Sequence, residues 1–117
     1  MESEKIKIVI IEDEFVIAED MRTRLEEHGY EVSAVFDRGE LALLFVSAKN
    51  ADILLVDINL QGPMDGVELV KQLQAKMEIP IVYAKATFEC ARSTRPHAFL
   101  VKPFTPANLI ASVDLAL

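Results

Sequence analysis

Residues 53–57 read Ile53-Leu54-Leu55-Val56-Asp57, four consecutive apolar residues that end on a carboxylate. An apolar run without polar alternation is what a strand needs when both of its faces are covered, as in a parallel sheet with helices on either side. Working outward, Ile6 to Ile11 has the same character and ends on Glu12-Asp13. Glu31 to Phe36, Ile81 to Tyr83 after Pro80, and Ala98 to Val101 supply three further short runs. Between them lie amphipathic stretches. From about Glu14, Ile17, Met21 and Leu25 recur on one helical face until His28-Gly29 stops it. Gly39 to Lys49 reads as a second helix, in which Leu41, Leu43, Leu44, Phe45 and Val46 cover most of the circumference, so some apolar surface is expected outside. Gly62-Pro63 marks a loop, and Asp65 caps a helix with Val67, Val70, Leu73 and Met77 on its inner face. The helical signal from Ala84 to Arg95 is weak. Thr105-Pro106 opens a last helix that is expected to bury Leu109, Ile110, Val113 and Leu117.

This alternation predicts an α/β fold of the doubly wound, flavodoxin-like kind, (βα)5. Its five parallel strands take the order 2-1-3-4-5, and its crevice lies beyond their carboxyl ends. The 117 residues, 51% of them hydrophobic, fit one domain spanning 1–117. A net charge of −7 without a basic stripe argues against direct nucleic-acid binding. No apolar run approaches the roughly 20 residues that cross a bilayer, and the acidic N-terminus is unlike a signal peptide. The lone Cys90 suits a reducing, cytoplasmic setting. His28 and His97 are too far apart in sequence to suggest a metal pair.

Four residues fall at the carboxyl ends of predicted strands: Glu12 and Asp13 after the first, Asp57 closing the third, and Lys102 after the fifth. Acidic residues after strands are often only helix caps. Together, however, they make three carboxylates and one ammonium at a single crevice. Converging carboxylates repel one another and call for a divalent cation, and hard oxygen ligands point to Mg²⁺. A metal and a lysine supply the charge compensation that phosphoryl transfer requires. Asp57, at the centre of the sheet, is the expected phosphoacceptor. Mg²⁺ is then held by Asp13, Asp57 and the backbone carbonyl of Asn59, with Glu12 assisting through water and Lys102 pairing with the phosphoryl oxygens.

The segments Val9-Ile10-Ile11-Glu12-Asp13-Glu14, Leu55-Val56-Asp57-Ile58-Asn59-Leu60 with Asp65-Gly66, and Lys102-Pro103-Phe104 resemble the receiver domains of two-component response regulators. The resemblance spans the whole chain. It implies a phosphohistidine donor, either a sensor histidine kinase or a histidine phosphotransfer protein, and a cis peptide at Lys102-Pro103. It also implies that Phe99 is a switch residue and that phosphorylation remodels the face made by the segment after strand four, strand five and the last helix. Such a domain is a signalling switch rather than an enzyme. The rival readings are an interaction module impaired in phosphorylation and, less favoured, an aspartyl-phosphate phosphatase, which would place a second acid where Asn59 stands. The apolar second helix adds self-association as a homodimer.

The sequence departs from the family after strand four. Receivers place a Thr or Ser there, whereas Ile81-Val82-Tyr83-Ala84-Lys85-Ala86-Thr87 has Lys85 at that position, and the span to Lys102 is short. Three accounts are open. A stretch carrying the hydroxyl belongs between Tyr83 and Ala84 and is absent from the chain; or the deletion is real and Thr87 has moved into the role; or the switch is degraded and Lys85 adds fixed charge.

Overall fold

The computed structural model describes residues 5–60, 62–85 and 98–117, with Lys85 described by its backbone alone. Five strands, β1 (Lys7–Ile11), β2 (Glu31–Phe36), β3 (Ile53–Asp57), β4 (Ile81–Lys85) and β5 (Ala98–Val101), form one parallel sheet in the order β2-β1-β3-β4-β5. Four helices are described: α1 (Phe15–Glu27), α2 (Gly39–Phe45), α3 (Gly66–Gln74) and α4 (Pro106–Ala116). The helical segment expected from Ala84 to Arg95, together with Thr87, Cys90 and His97, lies outside the described residues, except that Ala84 and Lys85 belong to β4.

Strand alternation divides the core in two, because successive side chains point to opposite faces. Ile8, Ile10, Ile53, Leu55, Val82, Ala84 and Leu100 face α1 and α4, meeting Met21, Leu25, Leu109 and Val113. Val9, Ile11, Leu54, Val56, Ile81 and Tyr83 face α2 and α3, meeting Ala42, Leu69, Val70 and Leu73. Each fully buried Ile or Leu contributes on the order of 1.5–3 kcal/mol, so it is the unbroken apolar runs that hold the central strands.

The ends of α1 and α3 are closed by the signals in the sequence. Gly29 adopts φ 101°, while the Gly29 and Tyr30 amides donate to the Glu26 and Leu25 carbonyls, a Schellman closure that a Cβ would strain. The Asp65 carboxylate accepts from the Glu68 amide at 2.9 Å. Two expectations are corrected. Helix α2 stops at Phe45 rather than Lys49, because the Asn50 side chain donates to the Phe45 carbonyl at 2.6 Å and accepts from the Ser47 amide at 2.8 Å, ending the helix in a tight turn. Helix α4 buries Leu109, Ser112, Val113 and Ala116 but not Leu117, since the inward stripe steps by four and then three residues and passes to Ala116. Strand β4 runs unbroken through Tyr83 and Ala84, which pair in consecutive register with Val56 and Asp57.

The Thr105 hydroxyl accepts from the Asn108 amide at 3.1 Å at the start of α4. Thr105→Ala is expected to lower the unfolding free energy by about 1 kcal/mol. Thr105→Ser should restore most of it, as measured by urea denaturation.

Candidate functional site

Strands β1 and β3 are neighbours, with Ile11 opposite Val56, so the residues that follow, Glu12 and Asp57, lie side by side at the carboxyl edge of the sheet. Lys102 follows β5, two strand spacings or about 10 Å from β3. The intervening strand presents Ala84 at the level of Asp57, a small, buried side chain beside which a lysine can extend. The Lys102 ammonium lies 2.6 Å from Glu12 Oε1 and 3.3 Å from Asp57 Oδ2. Asp13 completes the group: one ligand atom from each of Glu12, Asp13 and Asp57 falls within 4.8 Å of the others. The structure thus brings together four residues separated by as many as 90 positions in the chain.

Among the described residues, Glu12 (2% exposed) and Asp57 (6%) are the only charged side chains that are buried. Their remaining oxygens are satisfied locally: the Glu14 amide donates to Glu12 Oε2 at 3.1 Å, and the Asn59 amide to Asp57 Oδ1 at 3.0 Å. Burial pushes the Glu12 carboxyl up from 4.5 to about 7. The Lys102 hydrogen bond and the Glu14 amide oppose that rise, and the charge of Asp57 adds to it. For Lys102, burial works to lower the pKa but is outweighed by the hydrogen bond to Glu12 and the charges of Asp57 and Glu12, so it is raised.

The donor set is made of hard carboxylate oxygens, and when Glu12 is ionised one ammonium leaves it net negative. It therefore fits a hard divalent cation such as Mg²⁺. The Lys102–Pro103 peptide is cis. Phe99 sits partly buried in β5, its ring centroid 6.0 Å from that of Tyr83 and tilted by 37°, on the α2–α3 side of the sheet.

Two features of the site go beyond what the sequence predicts. One is the direct Glu12–Lys102 contact: the expectation put Lys102 on a phosphoryl group and Glu12 on water. The other is the steric role of Gly66. A Cβ at this position would meet the Asp57 carbonyl oxygen at 2.3 Å and Ile58 Cα at 2.9 Å. Glycine therefore lets the start of α3 press against the turn that carries Asp57. A glycine directly after a helix-capping Asp65 was the available signal.

The folded protein holds a proton on Glu12 between pH 4.5 and about 7, where the unfolded chain does not, so protonation favours the folded state in that window. In the metal-free protein this contribution is present below pH 4.5 and lost as pH rises to about 7. Urea unfolding should show that decline for the native sequence and a flatter profile for Glu12→Gln; equal slopes would contradict it. Gly66→Ala is expected to cost about 2–3 kcal/mol, because the obstacle is backbone that cannot step aside. The same urea titration reads this loss.

Residues 8–114 match the family model of the response regulator receiver domain. The chain is 30% identical over 115 residues to the transcriptional regulatory protein PdtaR of Mycobacterium tuberculosis, covering 94% of this chain and 56% of that protein. It is 32% identical to the phyllosphere-induced regulator PhyR of Methylorubrum extorquens, covering 95% and 43%. The chain thus spans about half the length of these curated relatives. Among solved structures, the signal receiver domain of a modulated diguanylate cyclase from Desulfovibrio desulfuricans superposes with a TM-score of 0.87 at 34% identity, covering 97% of this chain and 94% of that one. No described helix is long and apolar enough to cross a membrane. The chain belongs to the response regulator receiver domains of two-component signalling, whose role is a phosphorylation-dependent one.

Proposed function

We propose that residues 1–117 act as one receiver domain in which Asp57 accepts a phosphoryl group from the phosphohistidine of a sensor histidine kinase or a histidine phosphotransfer protein, with Mg²⁺ required, in the cytoplasm. The observation that carries this reading is the placement of Asp57: buried at the end of the central strand, 3.3 Å from the Lys102 ammonium, and clustered with Glu12 and Asp13. A carboxylate oxygen of Asp57 attacks phosphorus as the phosphorus–nitrogen bond of the donor breaks, and the bonding electron pair returns to the imidazole ring. The product on this chain is an acyl phosphate.

Asp13, Asp57 and the Asn59 carbonyl would hold Mg²⁺, with Glu12 supporting through water. The ion would neutralise charge on the transferring group. Lys102 pairs with the phosphoryl oxygens once they arrive, exchanging part of its contact with Glu12 for them. The Asn59 amide keeps Asp57 oriented by its hydrogen bond to Oδ1. The face that reads out the change is the one built by the segment between β4 and β5, β5 and α4, with Phe99 on β5 and Thr87 in the connecting segment as the switching residues. The domain signals by binding and does not turn over a substrate.

One observation favours a second reading, a receiver that takes phosphate but switches weakly. Strand β4 ends Ala84-Lys85 and has neither Ser nor Thr to bond a phosphoryl oxygen at the level of Asp57.

Incubation with Mg²⁺ and acetyl phosphate should add one phosphoryl group by intact mass. Asp57→Asn or chelation of the metal should abolish it, and Lys102→Ala should slow it on the order of a hundredfold. Absence of labelling in the native protein, or labelling that persists in Asp57→Asn, would overturn the assignment. Beryllofluoride difference spectra over β5 and α4 separate the two readings: small shifts confined to the acidic centre indicate acceptance without switching.

A further inference from the structure

We propose that the groove between α1 and α2 seats an apolar helix of the phosphohistidine-bearing donor, and that Leu41 and Leu44 of α2 supply its principal contact. This rests on the reading of Asp57 as the acceptor. The groove has a volume of about 360 Å³. It is lined by Glu12 and Asp13 after β1, by Val35 and Phe36 of β2, by Phe15 of α1 and by Leu41 of α2. It therefore opens directly onto two of the three carboxylates of the acidic centre.

Exposed apolar surface is concentrated here. Among the described residues, the large hydrophobic side chains left exposed are Phe15, Val16, Leu41 and Leu44 on the flanking helices, and Ile6, Leu115 and Leu117 elsewhere. Leu44, one turn beyond Leu41 on the same face of α2, is 86% exposed and lengthens the ridge away from the centre. Helix α2 has only seven residues, so two outward leucines are a large fraction of its surface. A short helix gains nothing in its own fold from leucines in water, whereas a recess flanked by two helices suits a third helix laid into it.

Charge selects the occupant. Asp13, Glu19 and Asp37 line the groove together with Glu12; Glu19 pairs with Arg22 at 2.6 Å, Asp37 with Arg38 at 3.3 Å and Glu12 with Lys102 at 2.6 Å, but none of these bases is among the residues that line it. A second copy would bring the same acids against these, which disfavours self-association. A partner that presents an apolar ridge flanked by Lys or Arg is attracted instead, more strongly at low salt. A donor must bring its phosphohistidine to the carboxyl edge of the sheet, and a helix lying in this groove ends there. The ridge is thus placed to discriminate among donors, while the carboxylates perform the transfer.

The test compares a small donor with a protein donor. Acetyl phosphate needs no docking surface; the protein donor is the fastest of a panel of purified, phosphohistidine-loaded phosphotransfer domains. In Leu41→Ser/Leu44→Ser, transfer from the protein should fall at least about tenfold, with acetyl phosphate labelling unchanged. Leu44→Ser alone, at a side chain already in solvent, should show a smaller loss in the same direction and guards against misfolding of the double variant. Protein transfer at the native rate in both variants would overturn the proposal. So would a concentration-dependent dimer, seen by sedimentation and abolished by these substitutions while transfer is unaffected, which would assign the face to a second copy. Failure of the native protein to label with acetyl phosphate would instead count against Asp57 as acceptor.

Discussion

The ammonium of Lys102, held between Glu12 and Asp57 at 2.6 and 3.3 Å, is the contact on which the arrangement of this site depends. It joins the ends of three strands, β1, β3 and β5, at the one edge of the sheet where backbone pairing has ended. Each neighbour is shaped to permit it. Ala84 keeps β4 low between Asp57 and the end of β5, and Gly66 lets α3 close on the turn after Asp57. The Glu14 and Asn59 amides occupy the carboxylate oxygens that the lysine does not reach. The apolar core does not require this cluster. Its strands are held by side chains such as Ile10, Leu55 and Val82, so the polar edge is free to be set by chemistry rather than by packing.

That freedom has an energetic consequence. Two carboxylates taken out of water beside one ammonium are not a stabilising arrangement in themselves, since desolvation can exceed the Coulombic gain. The raised pKa of Glu12 records this imbalance: burial outweighs an ammonium at hydrogen-bonding distance. An edge that resists holding its full negative charge is one that gains from added positive charge, and the same excess is what a divalent cation relieves.

Much of this was legible in the sequence because it follows from periodicity and punctuation. Unbroken Ile-Val-Leu runs located β1 and β3; Asp65 and Thr105 located helix starts; Glu12, Asp13, Asp57 and Lys102 converged because the parallel topology brings strand ends to one edge. The remainder depended on contacts that no local pattern encodes. The early end of α2 comes from the Asn50 side chain, five residues beyond Phe45. The direct pairing of Glu12 with Lys102 depends on the span across β4. Gly66 looks like an ordinary helix-start residue until the backbone of Asp57 is placed against it. The exposure of Leu117 turned on a single residue of helical phase at a terminus.

The same geometry makes phosphoryl acceptance and switching physically separable. Acceptance needs only the charges at the strand ends, which the core positions whether or not anything moves. Switching needs an element with two arrangements whose balance depends on the charge at Asp57. Strand β5 is connected to that edge through Lys102, whose ammonium holds both Glu12 and Asp57; a phosphoryl group on Asp57 would compete with Glu12 for it and alter the restraint on the residues after Val101. Against this, the Phe99 ring lies in contact with the fully buried Tyr83, an aromatic pair worth about 0.5–1.5 kcal/mol beyond its burial. Any rearrangement that turns Phe99 out of the sheet face gives up that contact. With no Ser or Thr in β4 to add a hydrogen bond on the phosphorylated side, a redistribution of Lys102 would have to offset that loss.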